Sequence, residues 1–272
     1  MGLFGDKTEI SVALDRADVM AGELVVARVR VGQPDKKAQS ARVELLYRNT
    51  HKYDTTDSDG DRVTRTQTVD VVVAGVPMMG GGPPQAGENT FPLTVPPGAP
   101  GTAAKSIEWF VRAVVDRRMG ADSTETAPLM VRVPAQQLAT WAQEPPRHPS
   151  ECSFVFDGPR FVRPGERLSG TLSLRAAAPI SARALKVCLR RVRYDPDRNT
   201  DEATAVESVL LESPELAAGQ ILALPIALDL PADAPPSFHA AKNSQCWYLD
   251  AVFDRKLKSD IVGRTQVVVH TI

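Results

Sequence analysis

Apolar and polar residues alternate along most of this chain with a period of two. The alternation is clearest in three segments, whose apolar positions are Val25, Ala27, Val29 and Val31; Val69, Val71 and Val73; and Trp109, Val111, Ala113 and Val115. Such alternation is typical of strands buried on one face, as in antiparallel sheets. The segments between are rich in Pro, Gly, Asp and Ser, which favour turns. The pattern predicts an all-β fold.

One stretch of sequence occurs twice. Residues 109–118, WFVRAVVDRR, return as residues 247–256, WYLDAVFDRK, with Trp, Ala, Val, Asp and Arg at matched positions. Upstream, Gly22-Glu23 and Gly165-Glu166 each open a strand-like segment. Each copy has the length of an ordinary domain. We therefore predict two tandem antiparallel β-sandwiches of about seven strands each, spanning residues 1–134 and 151–272.

The predicted linker covers residues 135–150. Pro145-Pro146 and Pro149 stiffen its end, and residues 136–143 are predicted to form a short helix. Leu138 and Trp141 would lie on one face of that helix, at a spacing of three residues. We interpret Trp141 as an anchor at the domain junction rather than as a ligand-stacking residue.

Composition narrows the function classes. The chain has 272 residues, of which 43% are hydrophobic and 24% charged, and its formal net charge is −1. This composition is typical of a globular protein, and a net charge near zero gives no overall electrostatic attraction to nucleic acid or acidic membranes. The sequence has no apolar run long enough to span a membrane and no signal-peptide pattern at its start. Three sparse cysteines, Cys152, Cys188 and Cys246, favour a reducing cytoplasm and small buried thiols.

These features together resemble the arrestin fold. The shared features are two tandem sandwiches, the Gly-Glu entry to a strand, and a late aromatic strand of the type Trp-x-x-x-Ala-Val-x-Asp, at Trp109 and Trp247. Within that fold, the chain is most similar to bacterial sporulation-control proteins. The resemblance implies a cytoplasmic adaptor, linked to bacterial development, that binds protein partners through loops, sheet edges and concave faces. It implies no phosphate-sensing site, because no motif here matches the buried charge cluster of the animal proteins.

The candidate metal site is an acidic loop. Asp57, Asp59 and Asp61 lie in the segment DTTDSDGD at residues 54–61, and oxygen-rich loops of this kind suit Ca²⁺. The loop departs from the EF-hand pattern, because Thr55 and Thr66 stand where acidic ligands belong. A solvated hairpin tip is the favoured interpretation, and we predict no cofactor. The four histidines lack metal-ligand spacing.

Two further groups are candidates for protein interaction. Met78 and Met79 open the Gly- and Pro-rich loop MMGGGPP, whose soft apolar side chains suit variable surfaces. The alternative is that both methionines fold back over the first core. Arg190, Arg191 and Arg193 form a basic cluster that could dock an acidic partner. A structural role is the simpler account, in which Asp116 and Asp254 pair with the basic residues that follow each of them.

No catalytic motif is present. Gly80-Gly81-Gly82 lacks the spacing of a phosphate loop, and no nucleophile elbow occurs. The sequence therefore favours a non-enzymatic adaptor or regulatory protein that binds proteins and not nucleic acid. The alternatives are a secreted β-sandwich binding module, or a calcium-responsive binding protein based on the acidic loop. The partner, the physiological signal and the oligomeric state remain open at this point.

Overall fold

The computed structural model describes residues 8–34, 36–141, 145–195 and 198–271, with only the backbone described at residues 135 and 198–200. Within these residues the chain is built almost entirely of strands, with one α-helix, α1 (Ala135–Trp141). The predicted all-β fold is confirmed. No helix of the described residues has the length and apolar character needed to cross a membrane. The chain divides into two compact units, Met1–Pro134 with Ala240–Lys242, and Ala135–His239 with Asn243–Ile272.

The first unit contains eight strands among its described residues. They are β1 (Ile10–Leu14), β2 (Asp18–Met20), β3 (Leu24–Val31), β4 (Ala38–Thr56), β5 (Arg62–Pro77), β6 (Gly87–Thr94), β7 (Ile107–Arg117) and β8 (Ser123–Arg132). One sheet has the order β1-β3-β6 and the other the order β2-β8-β7-β4-β5. Every pairing is antiparallel except that of β2 with β8.

The second unit contains eleven strands among its described residues. They are β9 (Cys152–Asp157), β10 (Phe161–Val162), β11 (Arg167–Ala176), β12 (Ile180–Ser181), β13 (Ala184–Asp195), β14 (Arg198–Glu212), β15 (Glu215–Leu216), β16 (Ile221–Asp229), β17 (Phe238–His239), β18 (Ser244–Asp254) and β19 (Ile261–Val269). The main sheets have the orders β9-β11-β16 and β10-β19-β18-β13-β14. Short strands β12 and β15 pair with each other, and β17 pairs with β18.

The two units share one connectivity. When β12, β15 and β17 are set aside, eight strands of each unit correspond in chain order. The first, third and sixth of these strands form the smaller sheet. The second, β2 or β10, pairs in parallel with the last, β8 or β19. The extra strands of the second unit are the short ones, β12, β15 and β17. Trp109 and Trp247 therefore lie in equivalent strands, β7 and β18. This equivalence agrees with the repeat found in the sequence.

Both repeated tryptophans are core residues, as predicted. Trp109 and Trp247 are each 1% exposed. Each indole N–H donates to a proline carbonyl at 2.9 Å, from Trp109 to Pro100 and from Trp247 to Pro235. The repeat therefore preserves both the buried ring and its hydrogen bond. Burial of the indole N–H requires such a partner.

Strand β18 departs from the half-buried pattern expected of it. All of its residues from Gln245 to Phe253 are buried, so both of its faces are covered. Strand β7 keeps more of the alternation, with Glu108 exposed and Phe110 and Arg112 half-buried on the face opposite Trp109. The same sequence pattern therefore corresponds to two different environments.

The linker residues belong to the second unit. The helix predicted for residues 136–143 is observed at Ala135–Trp141, and residues 142–144 lie outside the described part of the chain. Leu138 is buried, and the ring of half-buried Trp141 meets His239 edge-on at 5.0 Å between centroids. The role of Trp141 as a junction anchor stays a prediction.

Candidate functional site

A compact ion network lies on the outer face of the larger sheet of the second unit. Asp250 on β18 is fully buried, and Arg264 on β19 donates to both of its carboxylate oxygens, at 2.8 and 2.9 Å. Arg190 on β13 forms an ion pair with the same carboxylate at 3.0 Å. Glu202 on β14 pairs with both arginines, at 3.1 and 3.3 Å. The network links four neighbouring strands.

The three arginines of the predicted basic cluster are not brought to one face. Consecutive residues of a strand point to opposite faces, so Arg190 joins the outer network while Arg191 and Arg193 point the other way. Arg193 forms an ion pair with buried Asp195 at 3.4 Å. Two of the three charges are thus engaged within the unit. Their role in binding a partner stays a prediction.

The first unit carries a second network on the matching face. Arg42 pairs with Glu44 at 2.6 Å and with Asp116 at 2.5 Å, and Arg112 pairs with Glu44 at 2.8 Å and Asp70 at 2.9 Å. These residues belong to β4, β5 and β7, three adjacent strands. Alternating charges across the sheet keep the partly buried carboxylates compensated.

The matched aspartates find partners on a neighbouring strand. Asp116 and Asp254 were expected to pair with the basic residues that follow them, and this expectation is wrong. Asp116 pairs with Arg42 on β4. Asp254 pairs with Arg183 and with Lys186, the latter at 3.6 Å. The next residue along a strand faces away, whereas the opposite residue on the adjacent strand shares the same face.

The first network predicts a loss of stability in acid. Burial raises the pKa of Glu44, but hydrogen bonds from Arg42 and Arg112 outweigh it and hold the pKa below its usual value. The Arg42 guanidinium likewise lowers the pKa of Asp116. A carboxyl group with a depressed folded-state pKa stabilises the fold above its unfolded-state pKa, about 4.3 for Glu and 3.9 for Asp, and that contribution disappears as the pH falls through the folded-state pKa.

We expect the free energy of unfolding to fall below about pH 4.5, and Glu44→Gln to flatten that fall. Urea unfolding at a series of pH values from 7 to 3 measures both slopes. Glu125→Gln is the matched control, because Glu125 is exposed and forms no ion pair within the described residues. An identical pH slope for the parent and Glu44→Gln would contradict the prediction.

The acidic loop forms the tip of the β4–β5 hairpin. The Asp57 carboxylate accepts hydrogen bonds from the backbone N–H groups of Asp59 and Asp61, at 3.0 and 2.9 Å. Asp54 accepts from Arg62 at 2.5 Å. The side chains of Asp59 and Asp61 are exposed. Among the described residues, no group of three His, Cys, Asp or Glu side chains is placed to hold a metal ion.

The structure separates the two methionines of the Gly-rich loop. Met78 is 2% exposed and packs inside the first unit, so the interpretation in which a methionine folds back over the core is right for Met78. Met79 is 46% exposed. Met79 has a positive φ of 51° at the start of the turn Met78–Gly81, which turns its side chain away from that of its neighbour. Of the pair, Met79 alone presents its side chain to solvent.

We expect Met78→Ala to destabilise the first unit by about 2–5 kcal/mol and Met79→Ala to have little effect. The difference arises because only Met78 leaves a cavity when it is truncated. Thermal and urea unfolding of the two variants measure it, each serving as the control for the other. Equal stability of the two variants would show that Met78 is not packed as described.

The three cysteines are buried and form no disulfide within the described residues, as expected for small structural thiols. Burial raises the pKa of the Cys152 thiol to about 11 and also raises that of Cys188. A thiol with a raised pKa is a poor nucleophile at neutral pH, because the thiolate is the reactive form.

A cleft lies along the edge of the larger sheet in the first unit. It measures about 410 Å³ and is lined by Ala17, Thr102, Glu108, Trp109, Phe110, Pro128, Leu129 and Met130. Strand β2 pairs only with Met130–Arg132 of β8, which leaves the earlier part of β8 at the sheet edge. Sequence reasoning missed this cleft, although the short segment before β3 and Pro128 are signals of an interrupted edge.

No protein-family model and no curated protein matches the chain. The site must therefore be interpreted from its own geometry. That geometry contains two charge networks whose members neutralise one another, a hairpin tip, a half-exposed methionine and open sheet edges.

Proposed function

We propose that this protein is a non-enzymatic adaptor or regulatory protein that binds other proteins through its sheet edges and surface loops. The observation that carries the proposal is the long open edge of the first unit. Strand β5 ends the five-stranded sheet and pairs with β4 over its full length, from Arg62 to Pro77. An edge strand presents unpaired backbone N–H and C=O groups, which a strand from a partner can pair with.

The β4–β5 hairpin also extends beyond the sheet. Strand β7 pairs with β4 only as far as Asn49, whereas β5 continues to pair with β4 as far as Thr56. Residues 50–56 and 62–68 therefore form a two-stranded ribbon with no third strand among the described residues. Apart from buried His51, the side chains of this ribbon are exposed or half-buried, so a partner could reach most of it.

The charged groups support a binding role rather than a catalytic one. Asp250, Glu44 and their arginine partners form closed networks on sheet faces. Catalytic acids and bases are instead held beside a cleft that can take a substrate. Charges arranged to compensate one another contribute to a rigid binding scaffold.

We infer that the protein is an arrestin-like adaptor that acts in the cytoplasm, in bacterial development or sporulation control. The repeated strand order, with its Gly-Glu entries and matched tryptophans, supports the resemblance to that fold. Buried cysteines that form no disulfide within the described residues support a reducing compartment. Fold alone does not fix function, so the assignment depends on the identity of the partner.

The experiment is affinity purification of a tagged full chain from its native host, followed by reconstitution with the purified partner. Val72→Lys places a charge on the open β5 edge, where Val72 is 48% exposed, and Met119→Lys places the same charge at a 70% exposed loop position. We expect a stoichiometric protein partner with the parent and the Met119 variant, and weaker capture with the Val72 variant. Recovery of the chain from the medium, or without a stoichiometric partner, would overturn the proposal.

A further inference from the structure

The early part of β8 presents backbone groups at the sheet edge. The N–H of Met130 donates to the carbonyl of Ala17, and the carbonyl of Arg132 accepts from Ala21, so these β8 residues face the edge. Backbone direction alternates along a strand, so Thr126 faces the same edge. Thr126 is exposed, and β8 pairs there only with β7 among the described residues.

The equivalent edge of the second unit is occupied. In β19, the N–H of Val268 donates to Arg160 at 2.7 Å, which matches the bond from Met130 to Ala17. Further back along β19, Arg264 exchanges two backbone hydrogen bonds with Arg147, at 2.9 and 3.0 Å. The repeat places Arg264 at the position of Thr126. The segment around Arg147 therefore shows which kind of backbone can pair at that edge position.

The segment around Arg147 is extended and flanked by prolines. Its sequence from residue 145 to 150 is PPRHPS. Proline has no backbone N–H, so pairing is confined to one central residue. On β8, Pro128 likewise removes one donor beside Thr126. The segment at residues 145–150 and the β8 edge are thus each suited to pairing through a single residue. Their prolines also resist extension of the pairing into a longer sheet.

The cleft beside Thr126 supplies an apolar contact. Phe110 is half-buried, Pro128 is exposed and Met130 is 45% exposed. The residues at the equivalent positions of the second unit, Tyr248, Gln266 and Val268, are all buried. Counting only the residues that the structure describes, the same surface is therefore covered in the second unit and open in the first. Grooves lined by aromatic residues are suited to extended proline-containing peptides.

Charge adds a preference. Glu108 lines the cleft, is exposed and forms no ion pair within the described residues. Glu108 precedes Trp109, the partner of Leu129, so it lies at the Met130 end of the cleft, four residues along β8 from Thr126. A basic residue at that end of the ligand, and not the residue paired with Thr126, would therefore gain a partner there. Arg48 lies over the Phe110 ring, 5.2 Å from its centroid, and already pairs with Asp70.

We propose that the β8 edge of the first unit binds an extended, proline-flanked peptide of a partner protein, which pairs its backbone with Thr126 and inserts a proline between Phe110 and Met130. This inference rests on the proposed function and names the ligand class for one of its edges. The affinity comes from two backbone hydrogen bonds and a small apolar contact, so the interaction is weak and reversible.

The test uses a fluorescein-labelled hexapeptide, Pro-Pro-Arg-His-Pro-Ser, titrated into the full chain and followed by anisotropy. We expect saturable binding that weakens at least tenfold, on the order of 1.4 kcal/mol, in Thr126→Pro and is retained in Thr126→Ala. Proline at this position removes the edge-facing N–H without removing a bond to β7. Met130→Ala should weaken binding, whereas Met119→Ala should not.

Several results would overturn the proposal. One is the absence of saturable binding, and another is equal affinity for Thr126→Pro and Thr126→Ala. If Thr126→Pro fails to fold, unchanged binding to a stably folded Met130→Ala decides against the site. Binding that requires removal of residues 1–7 would make this chain's own beginning the occupant instead of a partner. If Thr126→Pro captures the cellular partner as well as the parent does, the edge inference fails while the adaptor function stands.

Discussion

Replacing Trp109 or Trp247 by alanine is expected to lower the free energy of unfolding by about 3–5 kcal/mol. Each ring is 1% exposed and lies in the middle of its unit's larger sheet, so truncation leaves a cavity that neighbouring side chains fill only in part. Each truncation also leaves a proline carbonyl, of Pro100 or Pro235, without its indole donor. An unpaired buried acceptor adds to the cost.

Urea unfolding of the single variants measures these losses, with far-ultraviolet circular dichroism as the probe because it does not depend on the tryptophans. Trp141→Ala is the matched control, because Trp141 is only half-buried and lies on a short helix. Replacement by Phe separates the two contributions, since Phe keeps most of the apolar ring and loses the N–H. A Trp109→Ala protein as stable as the parent would show that Trp109 is not part of the core.

The repeat could be predicted because the two matched segments share identical residues. Trp109 and Trp247 occur in matched segments, and the alternation around them fixes which face each ring takes. The sequence therefore led directly to buried tryptophans in equivalent strands. The all-β class followed from the same alternation and from the turn residues between strands.

The partners of charged residues could not be predicted from local pattern. Asp116 and Asp254 were assigned to neighbours in sequence, but they bind residues on an adjacent strand. Strand order and register decide which side chains face each other, and a shift of one residue moves every side chain to the other face. That information comes from pairing between distant segments, such as β4 with β7.

The protein-interaction candidates show a second limit of local pattern. Met78 and Met79 are adjacent and chemically identical, yet one is buried and the other is 46% exposed. The positive φ of Met79 separates them, and a methionine gives no sign of that conformation in sequence. The cleft along β8 escaped notice for a related reason, because it depends on how far β2 extends beside β8.

Removal of the Asp250 carboxylate is expected to destabilise the second unit by about 3–5 kcal/mol. Asp250 is fully buried, and its two partners, Arg190 and Arg264, have side chains only 28% and 16% exposed. In Asp250→Ala those guanidinium groups would lie close together on the same sheet face, with only Glu202 to compensate them. The cost arises mainly from charges left without a partner rather than from the loss of a favourable contact.

The matched control is Asp229→Ala, which breaks the pair of Asp229 with Arg167, 69% and 63% exposed. We expect that change to have little effect on the free energy of unfolding, because water solvates both groups. Urea unfolding at pH 7 in low and in 0.5 M salt measures both variants. Arg264→Met added to Asp250→Ala should recover part of the loss, since it removes one unpaired charge. Equal effects of the two aspartate variants would contradict the burial of this network.

The first unit has Arg112 at the position equivalent to Asp250, with acidic partners Glu44 and Asp70. The central residue of the ion network is thus acidic in the second unit and basic in the first, on the same face of the sheet. The stability of each unit should therefore depend on its own central residue.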